Sequence, residues 1–281
     1  MHDLAAALAL RRLEADVFEG RSPDPGLGRI FGGQVIAQSL VAAYETIEDR
    51  VCHSLHAYFE RPGDPSIPVR FEVSRPRDGK SFATRRISAM QRGEQILGMT
   101  ASFQILEDGY EHQSTMPLVP PPEIVPTERE LRAPQLAAFP PEFATRMLED
   151  RPIEMRFIDP RPLKDPQPTV PVQHHWFRAY APVPGTPARQ QAVLAYASDM
   201  NFLDTCMRPH GINWFSGKIQ SASLDHAIWF HRPIRINDWH LYVSDSPSAS
   251  GARGFNRGSI FSRDGRLVAS VAQEGLIRRR G

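Results

Sequence analysis

Lysine is nearly missing from this chain of 281 residues: Lys80, Lys164 and Lys218 are three of its 33 basic residues, and arginine supplies the rest. The formal net charge is only +1, so no positive excess points to nucleic acid or to an anionic membrane surface. Cysteine is as scarce. Cys52 and Cys206 stand far apart, with no CxxC and no histidine at a zinc-ligand interval, which leaves no metal site to propose. Two unpaired thiols, and an N-terminus without a basic start, a long apolar core or a cleavage site, suit a reducing cytoplasm. No stretch approaches the roughly 18 consecutive apolar residues of a membrane span. Arg278-Arg279-Arg280-Gly281 is not a peroxisomal address. There is no GxSxG elbow and no Cys/His cluster, so no covalent nucleophile stands out. Asp78-Gly79-Lys80-Ser81 is not a phosphate loop, because the glycine such a loop needs five residues before Gly79 is Ser74.

What is present suits a soluble globular protein: 41% hydrophobic and 23% charged residues, in a chain long enough for two domains. The stretch Tyr196 to Pro209 draws attention first. An apolar run, Ala192 to Ala197, leads into Ser198-Asp199, and Met200, Leu203, Cys206 and Met207 follow at helical spacing. The pattern predicts a short helix capped by Ser198 or Asp199 and stopped by Pro209 and Gly211. Asp199 would then be a carboxylate at the positive end of a greasy helix. A plain cap is the simpler reading, and a catalytic acid the other.

In chain order, Met1 to Leu13 reads as an amphipathic helix, and Gly20 to Gly28 as a loop. Phe31-Gly32-Gly33-Gln34 opens a largely apolar helix running to about Ile47. Four strands follow, over Leu55 to Phe59, Ile67 to Ser74, Phe82 to Met90 and Ile96 to Ile105, with turns short enough for antiparallel hairpins. The texture then changes: 14 of the 26 prolines lie between Met116 and Pro171. Proline breaks helices and denies ladder hydrogen bonds. Residues 110–172 therefore read as a connector with one helical patch around Glu142 to Leu148.

The second half repeats the first. Ser54-Leu55-His56-Ala57-Tyr58-Phe59-Glu60-Arg61-Pro62 is echoed by Ser223-Leu224-Asp225-His226-Ala227-Ile228-Trp229-Phe230-His231-Arg232-Pro233. Arg92-Gly93 and the strand behind it recur at Arg263 to Gln273, and the helix at Gly32 to Ile47 is matched to Asp199 to Met207. The expected domains are residues 1–109, a connector 110–172, and residues 173–281. A helix wrapped by a curved antiparallel sheet, twice over, is an α+β double hotdog.

Several motifs go further. Phe31-Gly32-Gly33-Gln34, His56-x-Tyr58-Phe59-x-Arg61-Pro62-Gly63-Asp64, Asp78-Gly79-x-Ser81-Phe82, Met99-Thr100-Ala101-Ser102-Phe103-Gln104, Ala197-Ser198-Asp199, Asp225-His226-x-x-Trp229-Phe230-His231-Arg232-Pro233 and Val271-Ala272-Gln273-Glu274-Gly275 together resemble the type II acyl-CoA thioesterases, bacterial thioesterase II and its peroxisomal relatives. The resemblance implies hydrolysis of fatty acyl-CoA to free acid and CoA, with no metal and no cofactor beyond the CoA of the substrate. Carried over by position, it puts the acid on Asp199, the carboxamide on Gln273 and the hydroxyl on Ser223, where the relatives usually have threonine.

Thioester hydrolysis needs a water, an acceptor for its proton and donors for the oxyanion. Asp199 would take the proton; Gln273 and Ser223, each able to donate and accept, would orient the water. The amides of the Gly32-Gly33 turn are the oxyanion candidates. Arg61, Arg232 and Arg253 are candidates for gripping CoA phosphates. His56, His226 and His231 read as structural, and Asp225-His226 is no dyad, since strand neighbours face opposite ways. Two other readings stay open: a catalytically silent acyl-CoA-binding protein, and a hotdog 3-hydroxyacyl thioester dehydratase, which would want a histidine on a central helix. Hotdog relatives usually associate, so a homodimer or homotetramer is expected by analogy.

Overall fold

The structure, a computed structural model, describes residues 4–23, 28–149 and 151–280. It opens with a single helical turn, α1 (Leu4–Ala7), and then strands β1 (Leu10–Glu14) and β2 (Val17–Gly20). The amphipathic helix expected over the first 13 residues is therefore confined, among the described residues, to four of them. Leu10 and Leu13 are followed by Val17 and Phe18, and the ribbon these residues form is anchored by the buried Phe18.

Helix α2 (Gly32–Tyr44) follows, and then β3 (Val51–Phe59), β4 (Val69–Asp78), β5 (Phe82–Gln91) and β6 (Glu94–Gln104), the meander expected from the alternating pattern. The proline-rich stretch holds two short helices, α3 (Glu128–Arg132) and α4 (Pro141–Met147). It also holds a strand, β7 (Ile153–Phe157), which pairs with β8 (Val172–Ala179). The alternation of Ile153, Met155 and Phe157 is thus that of a sheet strand lying inside residues 110–172. Then come α5 (Pro187–Asp199), α6 (Asp204–Met207), β9 (Ile219–Ser223), β10 (Asp225–Phe230), β11 (His240–Ser250), β12 (Arg253–Ser262) and β13 (Leu267–Arg279).

Among the described residues the strands form one sheet in the order β1-β2-β4-β5-β6-β3-β10-β13-β12-β11-β8-β7, with β9 added on β13. The order is a palindrome about the β3/β10 seam. At the seam His56 pairs with Ala227 and Leu55 with Ile228. The symmetry extends to single hydrogen bonds: the amides of Glu60 and Arg61 donate to Ile96 O, and those of His231 and Arg232 to Val268 O. The fold is a double hotdog, in which each half wraps its sheet around one 13-residue helix.

The helix of the second half is α5, not the Asp199 to Met207 segment matched to it in the sequence. Thr186 and Pro187 start it, with proline at a first-turn position where its missing N–H costs nothing. Helices α2 and α5 pack on each other inside the sheet. Ile36, Leu40, Ala42, Leu194 and Ala195 are fully buried there with Leu55 and Ile228 from the seam. Burial of each leucine or isoleucine side chain among them stabilises by about 1.5–3 kcal/mol, and of each alanine by less. A Cβ on Gly33 would come within 2.6 Å of Tyr196 O, so glycine is what lets the two backbones approach this closely.

Candidate active site

Asp199 is the last residue of α5, and Met200 follows it as the cap. It is not the N-cap expected from Ser198-Asp199. The apolar run that leads into it is the helix itself. After it the chain reverses through Asn201, which takes a left-handed conformation at φ 61°, before α6 begins. Tyr242 O–H donates to the Ser198 carbonyl at 3.0 Å, satisfying one of the last carbonyls of α5 that has no partner within the helix.

The positive helix end that Asp199 meets belongs to α2, from the other half. A Cβ on Gly32 would lie 2.9 Å from Asp199 Oδ2. The amides of Gly32 and Gly33 open α2, where helix geometry offers them no partner within the helix. The N-cap, Phe31, makes no side-chain cap; its ring packs edge-on against Tyr196 at 5.0 Å. Burial pushes the Tyr196 phenol up to about 12, with Asp199 adding to the rise and Arg151 opposing it.

The sheet brings the other two residues. Gln273, on β13, is 1% exposed, and Asp199 8%. Gln273 Nε2 donates to Asp199 Oδ1 at 3.1 Å and to Ser223 Oγ at 2.6 Å. Ser223, at the end of β9, pairs with Gly275 on β13, and its Oγ lies 3.5 Å from Asp199 Oδ1, too long for a strong hydrogen bond. Three residues from separate elements converge, and their sequence separation is bridged by β9, β13 and the end of α5.

The Gln273 carbonyl oxygen is not free to orient a water. His226 Nδ1 stands 3.0 Å from Gln273 Oε1, and its Nε2 is 2.9 Å from Ser198 Oγ. His226 is completely buried, and burial holds its pKa below the ordinary histidine value against the pull of Asp199 and Gln273. Asp225 faces the other way, accepting from the Glu274 amide. The strand signal that separated Asp225 from His226 was right, and the same signal, taken one step further, puts His226 on the face of Gln273. By the seam register Leu55, and not His56, is the first-half counterpart of His226. His56 points outward against Trp229, with ring centroids 5.0 Å apart.

None of the three candidate arginines contacts Asp199, Ser223 or Gln273. Arg61 donates to Gln95 O and pairs with Glu94, while Arg232 donates to Leu267 O, the equivalent hairpin in the other half. Arg253 pairs with Glu274, the neighbour of Gln273. Arg29, exposed and three residues before Gly32, donates to Ser221 O at 3.3 Å; it is a basic group held on β9, two residues before Ser223, that sequence reading passed over, because nothing local marks it. Among the described residues no cluster of three or more His, Cys, Asp or Glu side chains could hold a metal ion, and no helix is long and apolar enough to cross a membrane.

The comparisons with known proteins agree along the whole chain. A family model described as acyl-CoA thioesterase matches residues 153–276, and one described as acyl-CoA thioesterase N-terminal domain matches residues 18–104. The chain is 39% identical to acyl-CoA thioesterase 2 of Haemophilus influenzae, covering 99% of this chain and 98% of that one. It is 40% identical to human acyl-coenzyme A thioesterase 8, covering 98% and 88%. Among solved structures it is similar to the acyl-CoA thioesterase II TesB2 of Mycobacterium marinum, with a TM-score of 0.80, 37% identity and coverage of 99% and 98%.

Proposed function

We infer the chemistry of the site from the family to which the chain belongs: it is a type II acyl-CoA thioesterase, an acyl-CoA thioester hydrolase. We propose that Asp199, Ser223 and Gln273 carry the reaction by activating a water molecule. The observation that carries this reading is the pair of hydrogen bonds from Gln273 Nε2 to Asp199 Oδ1 and Ser223 Oγ. They fix Asp199 by one oxygen and leave Oδ2 facing Gly32 at the start of α2.

In this arrangement a water beside Oδ2 gives its proton to Asp199 as its oxygen attacks the thioester carbon. The oxyanion develops against the Gly32 and Gly33 amides, where donors and the helix dipole favour negative charge. The C–S bond breaks, and the CoA thiolate takes the proton back from Asp199. A thiolate is a good leaving group, so the step calls on no metal and no added cofactor. Ser223 accepts from Gln273, which leaves its own proton to be donated to the water or to the substrate. Arg29, held on β9 beside the Ser223 strand end, is a candidate to meet an anionic part of CoA, with Arg61, Arg232 and Arg253 as further candidates.

The substrate class we propose is fatty acyl-CoA, which places the enzyme in fatty acid metabolism. Cys52 and Cys206 are both free and buried, which fits a reducing compartment such as the cytoplasm. Association into a homodimer or homotetramer is proposed from the hotdog analogy, and light scattering on the purified protein tests it. The decisive experiment is thiol release from a panel of acyl-CoAs by the wild type and by Asp199→Asn. Loss of a general base costs about 10²–10⁴-fold, with melting unchanged. An Asn variant as active as the wild type removes the mechanism, and a wild type that binds acyl-CoA without releasing thiol leaves a binding protein.

A further inference from the structure

Asp199 as a carboxylate can only accept hydrogen bonds, and that fact sets the direction of every bond behind it. Gln273 is 3.1 Å from Asp199 Oδ1. With the carboxamide reversed, its oxygen would face the carboxylate oxygen and two sets of lone pairs would meet. The N–H₂ end therefore faces Asp199 and Ser223, and Oε1 faces His226 Nδ1 at 3.0 Å. Nδ1 must then carry the proton. Burial disfavours the charged ring, which leaves Nε2 as an acceptor facing Ser198 Oγ at 2.9 Å, and the Ser198 hydroxyl has the Ala195 carbonyl as a second acceptor, also at 2.9 Å. The Phe202 ring packs nearly perpendicular to the imidazole, with centroids 6.2 Å apart. The result is a one-way file from His226 through Gln273 to Asp199 and Ser223.

We propose that His226 is a positioning residue: its Nδ1–H holds the Gln273 carboxamide in the one orientation that aims both amide hydrogens at Asp199 and Ser223. The inference rests on the proposed roles of Asp199, Ser223 and Gln273. The fold supplies its own control. By the seam register, in which His56 pairs with Ala227, the position of His226 in the first half is held by Leu55, which is completely buried. The first-half helix ends on Tyr44 where α5 ends on Asp199, and the acid that follows it, Glu45, is exposed and pairs with Arg12, so there is no buried carboxylate for such a donor to serve. Leucine is thus a side chain this interior already accommodates at the equivalent point.

The test is a double-mutant cycle on thiol release, with melting followed for each variant. His226→Leu removes the donor. Its kcat is expected to fall at least tenfold while KM stays within about twofold. His226→Asn, whose side-chain amide can present an N–H near the Nδ1 position, is expected to recover most of that loss. Gln273→Ala alone should lose activity, and His226→Leu added to it should cost nothing more, because the group that His226 orients is gone. If the two losses multiply instead, His226 does not act through Gln273 and the proposal fails, while the roles of Asp199, Ser223 and Gln273 stand. If Gln273→Ala keeps full activity, the proposed site itself fails first. Should His226→Leu melt well below the wild type, the Asn variant within the same cycle decides the matter on the same two criteria.

Discussion

Tyr44 closes helix α2 where Asp199 closes helix α5, each as the last residue of a 13-residue helix. The Tyr44 hydroxyl donates to Gln191 Oε1 at 2.5 Å and accepts from the Cys52 amide at 2.8 Å. Gln191 Nε2 in turn donates to Cys52 O. The place that mirrors the catalytic centre is thus filled by an aromatic ring in a closed hydrogen-bond network, and burial pushes the Tyr44 phenol far above its ordinary range. Duplication gave the chain two equivalent positions, and only one of them holds an acid.

Tyr44→Phe should separate stability from catalysis. It leaves the Cys52 amide and the Gln191 carbonyl without a partner, a loss of about 1–3 kcal/mol. Denaturant unfolding should show that loss, while kcat and KM for an acyl-CoA stay at wild-type values. A variant with normal stability and lost activity would show that the mirrored position takes part in the reaction.

Gly32→Ala tests the contact between the halves. The added Cβ would stand 2.8 Å from the Phe59 ring and 2.9 Å from Asp199 Oδ2. The carboxylate is the end of a side chain and can move aside, so the protein should fold. A displaced base is expensive: a shift of about 1 Å can cost on the order of 100-fold. The expected result is a kcat lowered tenfold to 100-fold with a modest change in melting. Unchanged kcat would mean that Asp199 Oδ2 is not the working oxygen.

Ser223 carries a narrower expectation. Ser223→Ala removes the acceptor for Gln273 Nε2 at 2.6 Å and should lower kcat at least tenfold. Ser223→Thr keeps the oxygen and adds the methyl that stiffens χ1. It should match or exceed the wild type in kcat, measured on the same acyl-CoA. A threonine variant as poor as the alanine one would show that the hydroxyl is not what matters.

Much of this was legible in the residues, and the exceptions have physical causes. The alternating strands from Leu55 onward and the apolar helix from Gly32 announced themselves, because period 2 and period 3.6 are local signals. The end of α5 was misplaced because Ala192 to Ala197 is apolar on all sides, as a helix buried between a sheet and another helix must be, and so shows no amphipathic period. Thr186-Pro187 was the available start signal. Strand β7 was hidden by the prolines around it. The convergence of Asp199, Ser223 and Gln273 came from resemblance and not from pattern, since no spacing links residues on α5, β9 and β13. His226 escaped because a lone buried histidine looks the same whether it fills space or holds a catalytic amide.

His175 makes the stability of the fold depend on pH. It is buried among Phe157, Phe177 and Tyr242, with ring centroids 5.3, 6.1 and 5.2 Å away, and its Nδ1 has no hydrogen-bond partner. Burial, helped by His174, lowers its pKa to about 3. In the unfolded chain the same ring takes a proton near 6.5. The folded value is the lower one, so the unfolded state binds the proton first. Stability is present in full above about pH 6.5 and is lost as pH falls toward 3, by up to about 1.4 kcal/mol per pH unit from this residue. His175→Phe suits the aromatic surroundings and has no proton to bind. Urea unfolding at pH 7 and pH 5 should show the variant losing less stability than the wild type between the two, by about 1–2 kcal/mol. Other titrating groups are common to both proteins and cancel in the difference. Two proteins that lose equal stability over that interval would show that His175 titrates normally in the folded state.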